Sequence, residues 1–308
     1  MGQMMRRCTA SLGLTLGIAA SAGASPQAPP NAIDGATAFT VAVTGNGSRP
    51  MILIPGLLSS GEVWDGVVEH FATRYRLHVL TLAGFAGVPG VAGPLLPRVR
   101  DEVIGYIREN ELPRPVLVGH SLGGFLAMWI ASTAPDLVGP VIAVDGVPFQ
   151  PALTNASASV ASMEPLARQM RQLYRSMTPE QLGLQSRMAL TSMIANPADV
   201  AKATEWAGRS DPGTAGQALY ELMTTDLRDE VANISSDVLL VAATKIVAST
   251  PERLEAALSA YEAQVAHVRR HRVVAARRAL HFVMLDDPPF LLSTMDEFLE
   301  RAAPPEGR

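Results

Sequence analysis

The chain has 308 residues, of which 48% are hydrophobic and 18% are charged, and its formal net charge is −4. This length and composition are typical of one large α/β domain with an inserted subdomain, and they exclude a disordered or repeat protein. No block of basic residues is present apart from a short arginine cluster at 269–278 that apolar residues interrupt, so nucleic acid is not an expected partner.

The first 24 residues have the order of a secretory signal peptide. A pair of arginines precedes an apolar stretch at 12–20, and Ala22 and Ala24 fit an A-x-A cleavage site. We predict cleavage after Ala24, a flexible proline-rich leader at 25–37, and an exported protein, either periplasmic or secreted. The apolar stretch is too short to span a bilayer, so no stable membrane span is expected in the mature protein.

Cys8 is the only cysteine of the chain, and it would be removed with the signal peptide. The mature protein would then have no disulfide even though it is exported to an oxidising compartment. It would also offer neither a thiol nucleophile nor a thiolate metal site, and no metal is expected.

Strands and helices alternate from residue 38 onwards. Weak alternation at 39–43, a glycine-rich turn and an apolar run at 51–54 predict a hairpin-like entry into a buried strand. Apolar runs and apolar residues at helical spacing then predict further strands at 75–82, 115–119 and 138–144, with helices at 61–72, 98–110 and 125–134.

Residues 148–233 differ from the rest because they contain helical segments and no convincing strand. We interpret them as an inserted helical cap between two parts of one core, 38–147 and 234–303. The core resumes with predicted strands at 238–242 and 272–276 and helices at 250–268 and 289–302. This alternation indicates a mostly parallel sheet covered by helices on both faces, on which ligands bind at the carboxyl ends of the strands.

A serine between two glycines lies where the strand at 115–119 turns into the next helix. Gly119, Ser121 and Gly123 form a G-x-S-x-G pattern, in which the serine hydroxyl projects from a sharp turn and the glycines allow close backbone approach. The pattern alone is weak, because a glycine-rich loop can contain a serine by chance, but the strand before and the helix after are its confirming context. Ser121 is the predicted nucleophile.

A serine nucleophile needs a histidine base and an acid that orients it. His281 is the only histidine directly after the last predicted strand, and it is the predicted base. The remaining histidines precede the serine, adjoin it, or lie at a charged helix end: His70, His78, His120, His267 and His271.

The acid has two candidates. Asp145 follows the strand at 138–144, at the same sheet end as the serine, although an aspartate before a glycine is also common in ordinary turns. The strand at 238–242 has no carboxylate after it until Glu252, which is better explained as a charge in the first turn of a helix. We favour Asp145 and keep Glu252 as the alternative.

Stabilising an oxyanion requires two backbone donors aimed at one point. The Leu122 N–H directly follows the predicted nucleophile at a helix start, and the Leu57 N–H lies in the loop after the strand at 51–54. We predict these two N–H groups as the oxyanion donors.

These motifs resemble those of the α/β-hydrolase superfamily, in particular its small capped serine esterases and lipases. Residues 54–57 resemble the oxyanion loop, 119–124 the nucleophile turn and 280–282 the histidine loop. The resemblance covers 38–302 and implies an α/β-hydrolase fold, with a mostly parallel central sheet flanked by helices and an inserted helical cap. Many relatives carry the acid after the strand that corresponds to 238–242, so this chain resembles members with the acid one strand earlier.

The resemblance implies a serine hydrolase without metal or other cofactor that cleaves small-molecule carboxylic esters through an acyl-enzyme. Methionine, leucine and alanine in the cap favour small to medium, apolar substrates. A triad of serine, histidine and acid also serves lactone and amide cleavage, acyl transfer and cofactor-free perhydrolysis in this fold, and these reactions remain alternatives. Outside the enzymes, the alternative is a secreted ligand-binding protein that has lost catalysis. The acyl and alcohol preference and the oligomeric state stay open.

Overall fold

A computed structural model of the protein describes residues 37–302. The predicted signal peptide, and the predicted leader up to residue 36, lie outside the described residues. Within them, seven strands form one sheet in the order β1-β3-β2-β4-β5-β6-β7. The strands are β1 (Phe39–Thr44), β2 (Arg49–Ile54), β3 (Tyr75–Leu82), β4 (Val116–His120), β5 (Val141–Val144), β6 (Val238–Ala243) and β7 (His271–Ala276).

Helices connect the strands of this sheet. The early ones are α1 (Asp65–Phe71), α2 (Leu96–Glu109) and α3 (Leu122–Thr133). Four follow β5 and precede β6: α4 (Val160–Arg175), α5 (Pro179–Leu190), α6 (Pro197–Gly208) and α7 (Pro212–Thr224). The last are α8 (Pro251–Val265), α9 (Val283–Asp286) and α10 (Pro288–Ala302). None of the helices among residues 37–302 combines the length and the apolar character that a bilayer span requires.

The central strands are buried on both faces. Alternate residues of β2 point to opposite sides, so that Ile52 belongs to one apolar cluster and Met51 to the other. In β6, Leu240 and Leu239 are divided between the same two clusters. A parallel sheet covered on both faces produces continuous apolar runs of this kind, and the predicted fold class is confirmed.

The predicted hairpin-like entry is wrong. β1 pairs antiparallel with β3, with Phe39 opposite Leu82, and β2 lies between β3 and β4 and is parallel to both. Long-range burial decides this pairing: β2 is almost wholly buried and takes an inner position, whereas β1 is largely exposed and forms the edge. The turn residues at 45–48 indicated only a change of direction.

The insertion between β5 and β6 is helical throughout, apart from turns. α4 packs against α7, and α5 packs against α6. The buried Glu221 on α7 accepts hydrogen bonds from the N–H groups of Leu95 and Leu96 at the start of α2, the shorter at 2.7 Å. This carboxylate attaches the insertion to the helix layer of the core.

Candidate active site

Ser121 lies at a sharp turn between β4 and α3. Its backbone is in a strained region at φ 53° and ψ −118°, and its N–H donates to the Val144 carbonyl at 2.9 Å. A Cβ atom on Gly119 would lie 2.0 Å from the Gly123 carbonyl oxygen, and one on Gly123 would lie 2.1 Å from that of Ile54. The turn therefore requires both glycines, and it presents Ser121 at the carboxyl edge of the sheet.

The structure brings Asp145 and His281 together, although they are 136 residues apart in the chain. His281 Nδ1 lies 2.6 Å from Asp145 Oδ2, and a hydrogen on Nδ1 donates to the carboxylate. Asp145 directly follows β5 with φ 50°, and its own N–H donates to the Val241 carbonyl at 2.8 Å. Donation from Nδ1 leaves Nε2 of a neutral ring free to accept a proton.

The second carboxylate oxygen of Asp145 accepts two further hydrogen bonds. The Ala243 N–H donates to Oδ1 at 2.9 Å, and the Tyr261 hydroxyl on α8 donates to it at 2.5 Å. Burial, followed by the negative charge of Asp145, raises the pKa of the Tyr261 phenol far above its ordinary range, so the hydroxyl stays a donor. Both oxygens of Asp145 are thus held in place.

Tyr261 is a site residue that sequence reasoning missed. It is 116 residues from Asp145 and sits among apolar positions of an ordinary amphipathic helix. No local pattern marks it, because only the packing of α8 beside β6 brings its hydroxyl to the carboxylate.

Glu252, the alternative acid, lies in the first turn of α8 and is exposed. A hydrogen bond with its own backbone and a second with Thr250 lower the pKa of Glu252. Among residues 37–302, the carboxylate that hydrogen-bonds to His281 is that of Asp145.

His120 supports the loop that carries His281. It is 1% exposed, and its Nε2–H donates to the His281 carbonyl at 3.1 Å. Burial, and then the adjacent His281, lower the pKa of His120 well below its ordinary value, so its ring is neutral. His120 therefore holds the backbone of His281 in place.

The predicted oxyanion donors follow two adjacent strands. Ile54 of β2 is opposite Gly119 of β4, so Leu57 and Leu122 come after neighbouring strand ends. Leu122 is the first residue of α3, where an N–H has no acceptor within its own helix. Leu58, beside Leu57, has φ 60°. This adjacency is what two donors aimed at one oxygen require.

Two cavities meet at Ser121. One has a volume of about 190 Å³ and the other about 500 Å³, and four residues line both: Leu57, Ser121, Met193 and His281. The smaller cavity is bounded mainly by apolar side chains of α4, α5, α6 and the loops near the sheet edge, among them Leu58, Tyr174, Ala189, Leu190, Ala207 and Phe282. The larger one is bounded by residues that follow β5, β6 and β7, and by Leu219 and Leu222 of α7. A substrate whose reacting carbon lies at Ser121 could therefore extend in two directions.

Between residues 37 and 302, no group of three or more histidine, cysteine, aspartate or glutamate side chains is placed to hold a metal ion.

The chain is similar to known hydrolases in sequence and in fold. A pimeloyl-[acyl-carrier protein] methyl ester esterase of Nitrosomonas europaea is 29% identical over 214 residues, which cover 65% of this chain and 78% of that protein. One of the same name from Sodalis glossinidius is 30% identical over 144 residues, and the match spans only 54% of its length. The crystal structure of an enol-lactonase from Burkholderia xenovorans superposes with a TM-score of 0.67 at 16% identity, covering 85% of this chain and 96% of that one. A model of the alpha/beta hydrolase family matches residues 51–293. The chain belongs to the alpha/beta hydrolase family.

Proposed function

We propose that the protein is a serine hydrolase that cleaves carboxylic esters of small to medium, largely apolar substrates. The observation that supports this most directly is the hydrogen-bonded pair of Asp145 and His281 at the cavity junction where Ser121 projects. The esterase relatives support the same reaction class.

In the proposed reaction, His281 Nε2 takes the proton of the Ser121 hydroxyl as its oxygen attacks the ester carbon. Asp145 keeps the ring oriented and stabilises the imidazolium. The N–H groups of Leu57 and Leu122 donate to the oxyanion, whose collapse expels the alcohol with the proton from His281. Water then attacks the acyl carbon and gives a proton to His281 Nε2. Collapse of the second oxyanion releases the carboxylic acid and returns the proton to the Ser121 oxygen.

The reaction site and the cellular location are separate proposals. From the order of its first 24 residues we also propose export of the mature enzyme to the periplasm or the medium. N-terminal sequencing of the protein recovered from its native cells would show a start at residue 25, whereas an intact N-terminus would contradict this.

The nucleophile is tested with a fluorophosphonate probe on the purified protein. We expect stoichiometric labelling of the wild type at Ser121, located by mass spectrometry, and no labelling of Ser121→Ala. Ser186→Ala, which removes a serine that lines the smaller cavity, is the matched control and should label normally. Equal labelling of the Ser121→Ala protein would contradict the proposed nucleophile.

The acid is tested by comparing Asp145→Asn with Glu252→Gln on a p-nitrophenyl ester. Loss of the carboxylate that orients His281 should lower kcat by about 10³- to 10⁴-fold, while the exposed Glu252 should be replaceable without a change. The reverse result would assign the acid to Glu252.

The reaction class is tested with p-nitrophenyl acyl esters of graded chain length. We expect turnover of the shorter esters and a decline once the acyl chain outgrows the cavity that receives it. A near-zero rate for every ester would instead favour lactone or amide cleavage or acyl transfer.

A further inference from the structure

Lys245 lies at the entrance to the candidate active site, just after β6. Its backbone N–H donates to the Ala279 carbonyl at 3.3 Å, which ties this turn to the segment that leads into His281. Its side chain is exposed and lines the larger cavity together with Ser121. A cation therefore borders the space that a substrate bound at Ser121 would enter.

The Lys245 ammonium has no carboxylate within 4.0 Å in the part of the chain that the structure describes. The chain has only one other lysine, Lys202, and that one pairs with Glu62 at 3.2 Å and Asp65 at 3.4 Å. Asp145, the carboxylate that lines the same cavity, already accepts three hydrogen bonds. Lys245 is thus the charge in this cavity that remains available to a ligand.

The two cavities differ in charge. Apart from histidines, the smaller one is lined by neutral side chains. The larger one contains Lys245 and the side-chain amide of Gln150, which is a second hydrogen-bond donor, as well as Asp145, whose carboxylate already pairs with His281. An anionic group on a substrate would therefore be favoured in the larger cavity and disfavoured in the smaller one.

We propose that Lys245 binds a carboxylate carried by the part of the ester that occupies the larger cavity, so that half-esters of dicarboxylic acids are preferred substrates. The proposal rests on the ester hydrolysis proposed above. One ammonium balances a monoanion, whereas a dianionic phosphate would leave negative charge unbalanced near Asp145. Because Lys245 is exposed, water and salt weaken the attraction, and we expect a preference of about five-fold at low ionic strength.

Lys245 also lines a neighbouring open cavity of about 720 Å³, together with Glu255, Glu262 and Arg277. Its ammonium forms no ion pair with either glutamate in the described structure, where Glu262 pairs with His271. If Lys245 serves only that cavity, its replacement will not alter the choice between charged and neutral esters.

The test compares monoethyl adipate with ethyl 5-carbamoylpentanoate, in which a neutral amide replaces the carboxylate. The quantity measured is the ratio of kcat/KM for the two esters, in wild type, Lys245→Met, Lys245→Arg and Lys202→Met. We expect Lys245→Met to lower the ratio about five-fold, Lys245→Arg to keep most of it, and Lys202→Met to match the wild type. The wild-type ratio should also fall between about 20 and 500 mM NaCl.

An equal ratio in wild type and Lys245→Met overturns the proposal and leaves the proposed function intact. Failure of the wild type to hydrolyse either ester, or any p-nitrophenyl ester, counts against the proposed function instead. In that case the subsite is tested by binding alone. Calorimetry compares the affinity of monoethyl adipate for Ser121→Ala with its affinity for the double variant Ser121→Ala, Lys245→Met. Weaker binding without the lysine supports the subsite, and unchanged binding overturns it.

Discussion

Asp145 carries three hydrogen bonds on two oxygens, and one of them comes from a tyrosine on a helix 116 residues further along the chain. Its backbone has φ 50°, a conformation that aspartate tolerates better than most residues. The carboxylate is therefore placed by its strand end and oriented by its neighbours. The role of catalytic acid that we propose for it needs both, because the histidine it holds must keep one ring orientation.

At this scale we predict the effect of Tyr261→Phe. Loss of the hydroxyl removes a hydrogen bond to a charged group and should lower kcat about ten-fold with little change in KM, because Asp145 would hold His281 less precisely. Steady-state kinetics on a p-nitrophenyl ester provides the measurement.

Tyr106→Phe is the matched control for that experiment. The Tyr106 hydroxyl forms a hydrogen bond of 2.7 Å with His78, away from the candidate site. Both variants should lose about 1 kcal/mol of unfolding free energy, and only Tyr261→Phe should lose turnover. An equal drop in kcat for both would show that Tyr261 acts through stability alone.

At the scale of elements, the turn from β4 into α3 is pressed against the end of β2. The close approach of Gly123 to the Ile54 carbonyl joins the turn with Ser121 to the loop with Leu57. Two short segments from distant parts of the sequence thus share one backbone contact, and their relative position depends on the absence of a side chain.

We predict that Gly123→Ala lowers both the stability of the protein and its turnover of esters. The added Cβ would lie 2.1 Å from a backbone oxygen that cannot rotate away, so strands and turn must separate. We expect a loss of about 1–3 kcal/mol in unfolding free energy and about 100-fold in kcat, measured by denaturant titration and ester kinetics.

Gly105→Ala on α2 is the comparison, because nothing lies within 4 Å of its Cβ position. This change should stabilise the helix by up to about 1 kcal/mol and leave kcat as it is. If Gly123→Ala also left the unfolding free energy and kcat undiminished, the close contact with Ile54 would not constrain the turn.

At the scale of the whole molecule, His78 and His120 are buried in the folded state, and within residues 37–302 neither forms an ion pair with a carboxylate. Burial lowers the pKa of His120 well below its ordinary value, with the adjacent His281 as the second cause. Burial, followed by Arg76, lowers the pKa of His78. The unfolded chain, in contrast, protonates both near the ordinary value of about 6.5.

Folding stability should therefore fall as the pH drops below about 6.5. Below that pH the unfolded chain binds more protons than the folded one, so the free energy of unfolding decreases with decreasing pH, by up to about 1.4 kcal/mol per pH unit for each histidine. Denaturant titrations between pH 7 and 5.5 measure this slope, in a range above the ordinary pKa values of carboxyl groups.

His120→Gln removes one of the two titrating groups and should reduce the slope, whatever its stability at pH 8. An unchanged slope would mean that His120 is not the source of the acid sensitivity.

The sequence by itself determined the local features and the fold class. Adjacent residues alone predict the strand, the glycine-flanked turn and the helix around Ser121, and continuous apolar runs predict the buried strands. Because the carboxyl ends of parallel strands meet at one edge, the positions of Asp145 and His281 after strands also suggested that they could come together.

Only the tertiary structure decided which of these groups touch. The antiparallel pairing of β1 with β3, the hydrogen bond of Tyr261 and the place of Lys245 beside the larger cavity depend on contacts between residues far apart in the chain. Local patterns report whether a segment is apolar and how it turns. They do not report which partner buries it, because that choice depends on the free energy of packing the whole sheet and its helices.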